Sequence, residues 1–195
     1  MTKIATFFKV VACIICLTIQ MNTVSAQTWP PFGVSGQGTA LDPWQITTIT
    51  QLTQLASYVN AGNGLQTAGK YYKLMNNVDY HSSIHISALG WSPIGNLAVG
   101  NAIFQGNFDG NGKVVSNIWI NRDQTGYIGL FGYVSSAHIH DLGVEIYQTI
   151  IGSQYVGGLI GQADHSIIEN CYVTGNVTGI SFVGGLIGYS VSSNI

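Results

Sequence analysis

His81 with His85, and His138 with His140 beside Asp141, are the spacings in this chain that could hold a metal ion. Residues two apart on a strand point to one face, so His138 and His140 have the geometry a cation needs. A closed site takes three or four ligands with outer groups to orient them, and here only two come together at a time. No metal and no cofactor is therefore expected. A polar contact one repeat later, His140 on Glu169 and Asp141 on Asn170, accounts for these residues. Glycan cleavage would need two carboxylates facing each other across a bond, or a base beside a neutralising cation. The eight acidic residues are scattered mostly through turns, and no pair recurs at a spacing that converges on one face. The serines lack a nucleophile elbow and an evident His and acid partner. No catalytic residue is expected.

Aromatic residues offer recognition instead. Tyr127, Tyr155 and Phe182 each open a short glycine phrase: Gly129-Leu130-Phe131-Gly132, then Gly157-Gly158-Leu159-Ile160-Gly161, then Gly184-Gly185-Leu186-Ile187-Gly188. Lined up on their leucines, the phrases recur after 29 and then 27 residues, the mark of a stacked repeat. Allowing one residue of adjustment in the first copy, the three rings fall in successive layers. An exposed ladder of this kind is a platform for sugar rings, which makes these three the first candidates for ligand binding. Rings filling a core or a corner look identical in sequence, and that structural role is the expectation.

The elements that must carry these residues follow from the register. Ile139, Ile168 and Ile195 fall at one offset after the glycine phrase, as do Leu142 with Cys171 and Val144 with Val173. Val173-Thr174-Gly175-Asn176-Val177-Thr178 has the period of two expected of a strand with one buried face. One such coil cannot bury its apolar face alone, so coils must stack and share a core. Further strands are expected at Tyr71 to Val78, Ile103 to Phe108, Val114 to Ile120 and Tyr127 to Phe131, with a turn at Asp109-Gly110-Asn111-Gly112. Leu52, Leu55, Ala56 and Val59 form the stripe of one amphipathic helix. Thr48 and Gln51 give it a capping box, and Gly62 a stop. Placed ahead of an all-β chain, it should cover the open N-terminal end of the stack. The expected fold is all-β: a right-handed parallel β-helix, or solenoid, with one short N-terminal capping helix.

Residues 1–26 read as a secretory signal, with Lys3 and Lys9 ahead of an apolar run and Val24-Ser25-Ala26 at the cleavage site. The run is about half of the ~20 residues a spanning helix requires, so no spanning segment is expected in the mature chain. Residues 27–62 form an extended lead-in and the helix, and residues 63–195 the solenoid. Removing the signal leaves Cys171 as the one cysteine, so stacking rather than disulfides must hold an exported chain together. In the slot Leu142 fills one coil earlier, Cys171 reads as a small buried residue. The mature chain keeps four basic residues, Lys70, Lys73, Lys113 and Arg122, against eight acids, which excludes nucleic acid as a partner.

Tyr155-Val-Gly-Gly-Leu-Ile-Gly161 and Glu169-Asn-Cys-Tyr-Val-Thr-Gly-Asn-Val177 resemble the GLUG repeat. Phe104-Gln-Gly-Asn-Phe-Asp-Gly-Asn-Gly-Lys-Val-Val115 resembles the strand and turn ahead of it in large secreted bacterial proteins, especially of the Bacteroidetes. The resemblance implies a right-handed parallel β-helix in adhesin-like surface proteins, and in the non-catalytic region ahead of some immunoglobulin A proteases. It carries no catalytic residue with it. The function expected is a non-catalytic, exported, adhesin-like solenoid at the outer cell surface that binds glycan or host protein. The alternative is the N-terminal stalk of a larger exported peptidase or glycan-active enzyme. Ile195 stops at a mid-coil position, so an incomplete last coil is expected, with self-association through that open end.

Overall fold

The computed structural model describes residues 33–82, 88–96 and 100–195. The expected signal segment and His85 lie outside them. The chain is mostly β. Its strands, in order, are β1 (Trp44–Ile46), β2 (Tyr71–Leu74), β3 (Val78–Asp79), β4 (Asn107–Asn121), β5 (Phe131–Ser135) and β6 (His138–Ile151). They continue with β7 (Gln154–Val156), β8 (Ile160–Asp164), β9 (Ile167–Glu169), β10 (Tyr172–Thr178), β11 (Ser181–Val183) and β12 (Ile187–Val191). One α-helix, α1 (Ile49–Tyr58), follows β1. No helix among the described residues is long and apolar enough to cross a membrane.

The strands form three parallel sheets. The largest runs β1-β2-β4-β6-β10, with β3 beside β4 and β9 beside β6; the second is β5-β8-β12 and the third β7-β11. Parallel pairing at a spacing of one repeat sets like upon like. Val173 pairs with Val144, as the sequence register requires. The column extends to Val115 and Val78 in layers that have no glycine phrase. A second column climbs from Trp44 through Tyr72, Phe108 and Ile139 to Ile168. Phe104 and Phe131 join it from the side, with ring centroids 5.2 Å apart. All of these side chains except the half-buried Val173 are buried, and together with Leu130 and Leu159 they are the core.

The glycine phrase is required by close approach. A Cβ on Gly157 would sit 2.1 Å from the carbonyl oxygen of Ile160, and one on Gly158 would sit 2.4 Å from Val173 Cγ1. Residues with left-handed backbone mark corners of the chain, and these corners also recur in register. Ser136, His165 and Ser192 form one set, Asp141 and Asn170 a second, and Tyr127, Tyr155 and Phe182 a third.

The expected helix is present, its Ile49, Leu52, Leu55 and Ala56 buried. Thr48 Oγ1 accepts the Gln51 N–H, whereas Gln51 Oε1 reaches back to the N–H of Thr47 rather than of Thr48. The chain leaves the helix at Gly62, whose φ is +94°. The segment Asp109 to Gly112 corrects the expectation of a turn between strands, because β4 runs through it. Asn111 (φ 54°) and Gly112 (φ 66°) make a bulged corner within the strand. The expected strands at Ile103 to Phe108 and Tyr127 to Phe131 are reduced to single bridges, Phe104 to Val134 and Ile128 to Val156, before β4 and β5 begin. Cys171 stands over Leu142 but is half-buried, not buried. Its Sγ lies 3.2 Å from the Glu169 carbonyl oxygen, and burial pushes its thiol pKa up, which disfavours the reactive thiolate.

Gly157→Ala should therefore destabilise the chain by about 1–3 kcal/mol, because backbone cannot yield as a side chain can. Gly185→Ala, whose Cβ would meet nothing within 4 Å, should cost well under that amount. Urea denaturation of the two variants checks the pair.

Candidate functional site

Tyr127, Tyr155 and Phe182 come together as one column on the third corner. The Tyr127 N–H donates to the Gln154 carbonyl and the Ile128 N–H to that of Tyr155, which places Tyr127 over Tyr155. Pairing of β7 with β11 places Tyr155 over Phe182. Tyr127 and Tyr155 stack with centroids 4.9 Å apart, and Tyr155 and Phe182 at 5.1 Å with planes only 6° from parallel. The rings are outside the core. Tyr127 and Tyr155 are half-buried and Phe182 is 49% exposed, which places the three rings at a corner rather than in the core.

A corner alone would not select aromatic rings. The three residues have φ of 60°, 53° and 53°, a region that costs a residue with a Cβ roughly 1–2 kcal/mol. The polar corners meet this with Ser, His, Asp and Asn. Stacking, at roughly 0.5–1.5 kcal/mol per pair, offsets the cost at the aromatic corner.

A second column lies beside the first. Tyr133, Gln162 and Tyr189 are register partners across β5, β8 and β12. Tyr133 packs on Tyr127 at 5.7 Å and Tyr189 on Phe182 at 5.0 Å. The Tyr133 hydroxyl donates to Asp164 Oδ2 at 2.5 Å, and Gln162 Nε2 to Asp164 Oδ1 at 2.9 Å. Burial first, then the Asp164 carboxylate, pushes the Tyr133 phenol pKa up. Sequence reasoning missed Tyr133 and Tyr189, although a signal was present: Tyr133, Gln162 and Tyr189 each directly follow the last glycine of a phrase. Two grooves flank the columns. One runs along Gln124, Tyr127, Gln154 and Tyr155, and the other lies between the Ser92–Asn96 segment and the Arg122–Ile128 turn.

The histidine cluster is larger than the sequence indicates. Asp109 of β4 pairs with His140 of β6, and the side chains of Asp109, His140 and Asp141 bring one donor atom each within 4.8 Å of one another. The expectation of two ligands at a time and no converging acids is thus corrected: Asp109 and Asp141 converge because adjacent layers meet. The donors are already engaged. Lys73 Nζ lies 2.7 Å from Asp109 Oδ2, and the Asn111 N–H donates to Asp109 Oδ1 at 2.6 Å. His140 Nδ1 is 2.8 Å from Asp141 Oδ2, and Asn170 Nδ2 donates to Asp141 Oδ1 at 3.1 Å. The Asp141 to Asn170 contact is the one the register implies. Glu169, though paired with His140 in the strand, is met by His138 Nε2 at 3.3 Å. His81 packs its ring on Tyr147 at 4.6 Å.

Residues 152–178 match the GLUG motif. The motif spans β7, β8, β9 and β10, and Tyr155, the middle ring of the column. Over 157 residues the chain is 30% identical to halomucin of Haloquadratum walsbyi, a match covering 79% of this chain and 2% of halomucin. Over 170 residues it is 28% identical to a Gly-rich membrane protein of Evansella cellulosilytica, covering 86% of this chain and 18% of that protein. The chain thus spans a small part of the length of the curated relatives it matches. Among solved structures it is similar to an immunoglobulin A1 protease-like chain of Bacteroides ovatus, with a TM-score of 0.45 and 17% identity over 80% of this chain and 64% of that one.

Two outcomes test this geometry. Tyr155→Ala, which loses three ring contacts on a half-exposed corner, should cost about 1–2 kcal/mol. Phe131→Ala in the core should cost about 3–5, and urea denaturation separates the two. The hydrogen bond from His140, then that from Asn170, holds the Asp141 carboxyl below its ordinary range. A lowered pKa contributes stability above the ordinary carboxylate range that is lost as pH falls through the folded value. In an NMR titration, His140→Gln should bring the Asp141 midpoint back up.

Proposed function

We propose that this chain is a non-catalytic, exported surface module, a right-handed parallel β-helix closed at its N-terminal end by α1, whose aromatic corner binds glycan. Three parallel sheets, one repeat per layer and three recurrent corners support the β-helix, and its hand is the one that parallel crossovers adopt almost without exception. Similarity to halomucin and to a Gly-rich membrane protein supports placement at a surface.

The observation that carries the binding reading is the stacked column of Tyr127, Tyr155 and Phe182 in a backbone conformation unfavourable to aromatic residues. Strained positions of this kind gather at ligand sites. Rings that face one another have used those faces on each other, so sideways the column offers edges and phenol hydroxyls. The polar groups a glycan needs stand alongside: Gln154, Gln162 and the Asp164 carboxylate. Phe182, at 49% exposed with Tyr189 set at 61° to it, is the ring most open to the apolar face of a sugar.

A glycan array probed with the purified chain should light a restricted set of oligosaccharides. Phe182→Ala and Gln154→Ala should each lower that binding at least fivefold while leaving the circular dichroism spectrum unchanged. An array with no signal, or equal signal from the variants, overturns the reading.

A further inference from the structure

The cleft between the Ser92–Asn96 segment and the Arg122–Ile128 turn contains the chain's one arginine among the described residues. It encloses about 470 Å³, room for a monosaccharide. Its walls are held in place. Asn60, just past α1, donates through Nδ2 to the Pro93 carbonyl at 2.9 Å and accepts the Gly95 N–H at Oδ1 at 2.9 Å. Opposite, the Arg122 N–H donates to the Ile151 carbonyl and the Thr125 N–H to that of Arg122, closing a tight turn.

The Arg122 side chain is not settled by its own fold. Its Nε is sealed from solvent with no hydrogen-bond partner. No carboxylate among the described residues forms an ion pair with it, and its neighbour Asp123 is exposed. Burial pushes the guanidinium pKa down, and the nearby Tyr80 phenol opposes that shift. A buried N–H without an acceptor costs on the order of 1–3 kcal/mol and is uncommon in native structures. Arginine is the side chain whose planar fork matches a carboxylate, so a planar anion is the group best suited to Arg122 in this cleft.

We infer that this cleft binds the carboxylate of an acidic sugar, a uronic acid, through Arg122, with Ser92, Gln124 and Thr125 meeting the sugar hydroxyls and Pro93 and Tyr127 its apolar face. The inference rests on the glycan reading and deepens it. Gln124 and Tyr127 line both this cleft and the groove along Gln154 and Tyr155, so a sugar held at Arg122 continues directly onto the aromatic column. Binding requires the guanidinium to turn so that Nε, sealed in the free chain, faces the cleft, and no ion pair to a described residue opposes that turn.

Isothermal titration with α-1,4-trigalacturonate, its trimethyl ester and a sulfated galactose trisaccharide tests the assignment. The purified chain should bind trigalacturonate at least tenfold more tightly than the neutral ester and more tightly than the sulfated sugar. Arg122→Gln should remove the preference over the ester, and Arg122→Lys, which keeps charge but not the fork, should lose most of it. Unfolding midpoints of both variants are measured alongside, so that the lysine variant decides if the glutamine variant is unstable. Equal binding of acid and ester, or preference retained in Arg122→Lys and Arg122→Gln, overturns the cleft and leaves the column reading standing. A sulfated sugar bound as tightly as the uronate overturns the carboxylate assignment. Loss of uronate binding in Arg122→Gln with none in Phe182→Ala overturns the column reading and leaves the cleft, and no binding of any probe overturns both.

Discussion

Parallel backbone pairing at a spacing of one repeat is the interaction on which everything else depends. Backbone N–H and C=O groups of one layer pair with those of the layers beside it, and a shift of one residue would turn every buried side chain to the other face. Glycines are where this pairing is tightest. At Gly157, Gly158 and Gly161 the neighbouring backbone comes closer than any Cβ allows, so the register is held by what cannot fit as well as by what does. The wide Val78, Val115, Val144 and Val173 column then follows with no further requirement than an apolar residue at each step.

In-register stacking also amplifies chemistry. A position occupied once by a charge is occupied by a like charge in the next layer unless the sequence changes, and like charges directly opposite are destabilising. This is a physical reason for a surface built of Asn, Gln, Ser and Thr, with only 7% of residues charged. Where charged residues do occur, like signs are kept apart: Lys73 pairs with Asp109, and His140 stands between Asp109 and Glu169 in the same column of the large sheet. Aromatic residues have the opposite property, since like upon like is favourable for them. The same rule that dilutes charge therefore concentrates Tyr127, Tyr155 and Phe182 into a ladder.

Corners show how local cost and long-range gain are balanced. Left-handed backbone suits Asn, Asp and Ser, and two of the three corners use such residues. The aromatic corner departs from that preference, and its rings recover the cost by stacking and by leaning on Tyr133 and Tyr189. It is also the corner beside both grooves, so the departure from local preference and the proposed recognition chemistry lie in one place.

The amino-acid sequence by itself determined the repeat, its strand register, the helix with its Thr48 cap and the stacking of Tyr127, Tyr155 and Phe182. All of these rest on periodicity and on identical residues at a fixed offset, which a chain displays without being folded. It showed strands ahead of the first glycine phrase but not how the earliest of them stacks, because Val78 pairs with Val115 across 37 residues, a spacing that no motif repeats. Nor could it decide whether the three rings face inward or outward, since a period of two places them on one side without saying which. The tertiary structure settled that by filling the core with Trp44, Tyr72, Phe104, Phe108 and Phe131. It also decided the two polar sites. Asp109 reaches His140 and Asp141 only because adjacent layers meet, and Arg122 lines a cleft without an acceptor only because a distant segment, held by Asn60, forms the opposite wall. Contacts between residues about thirty apart leave no trace in local composition, and they arise when the chain stacks.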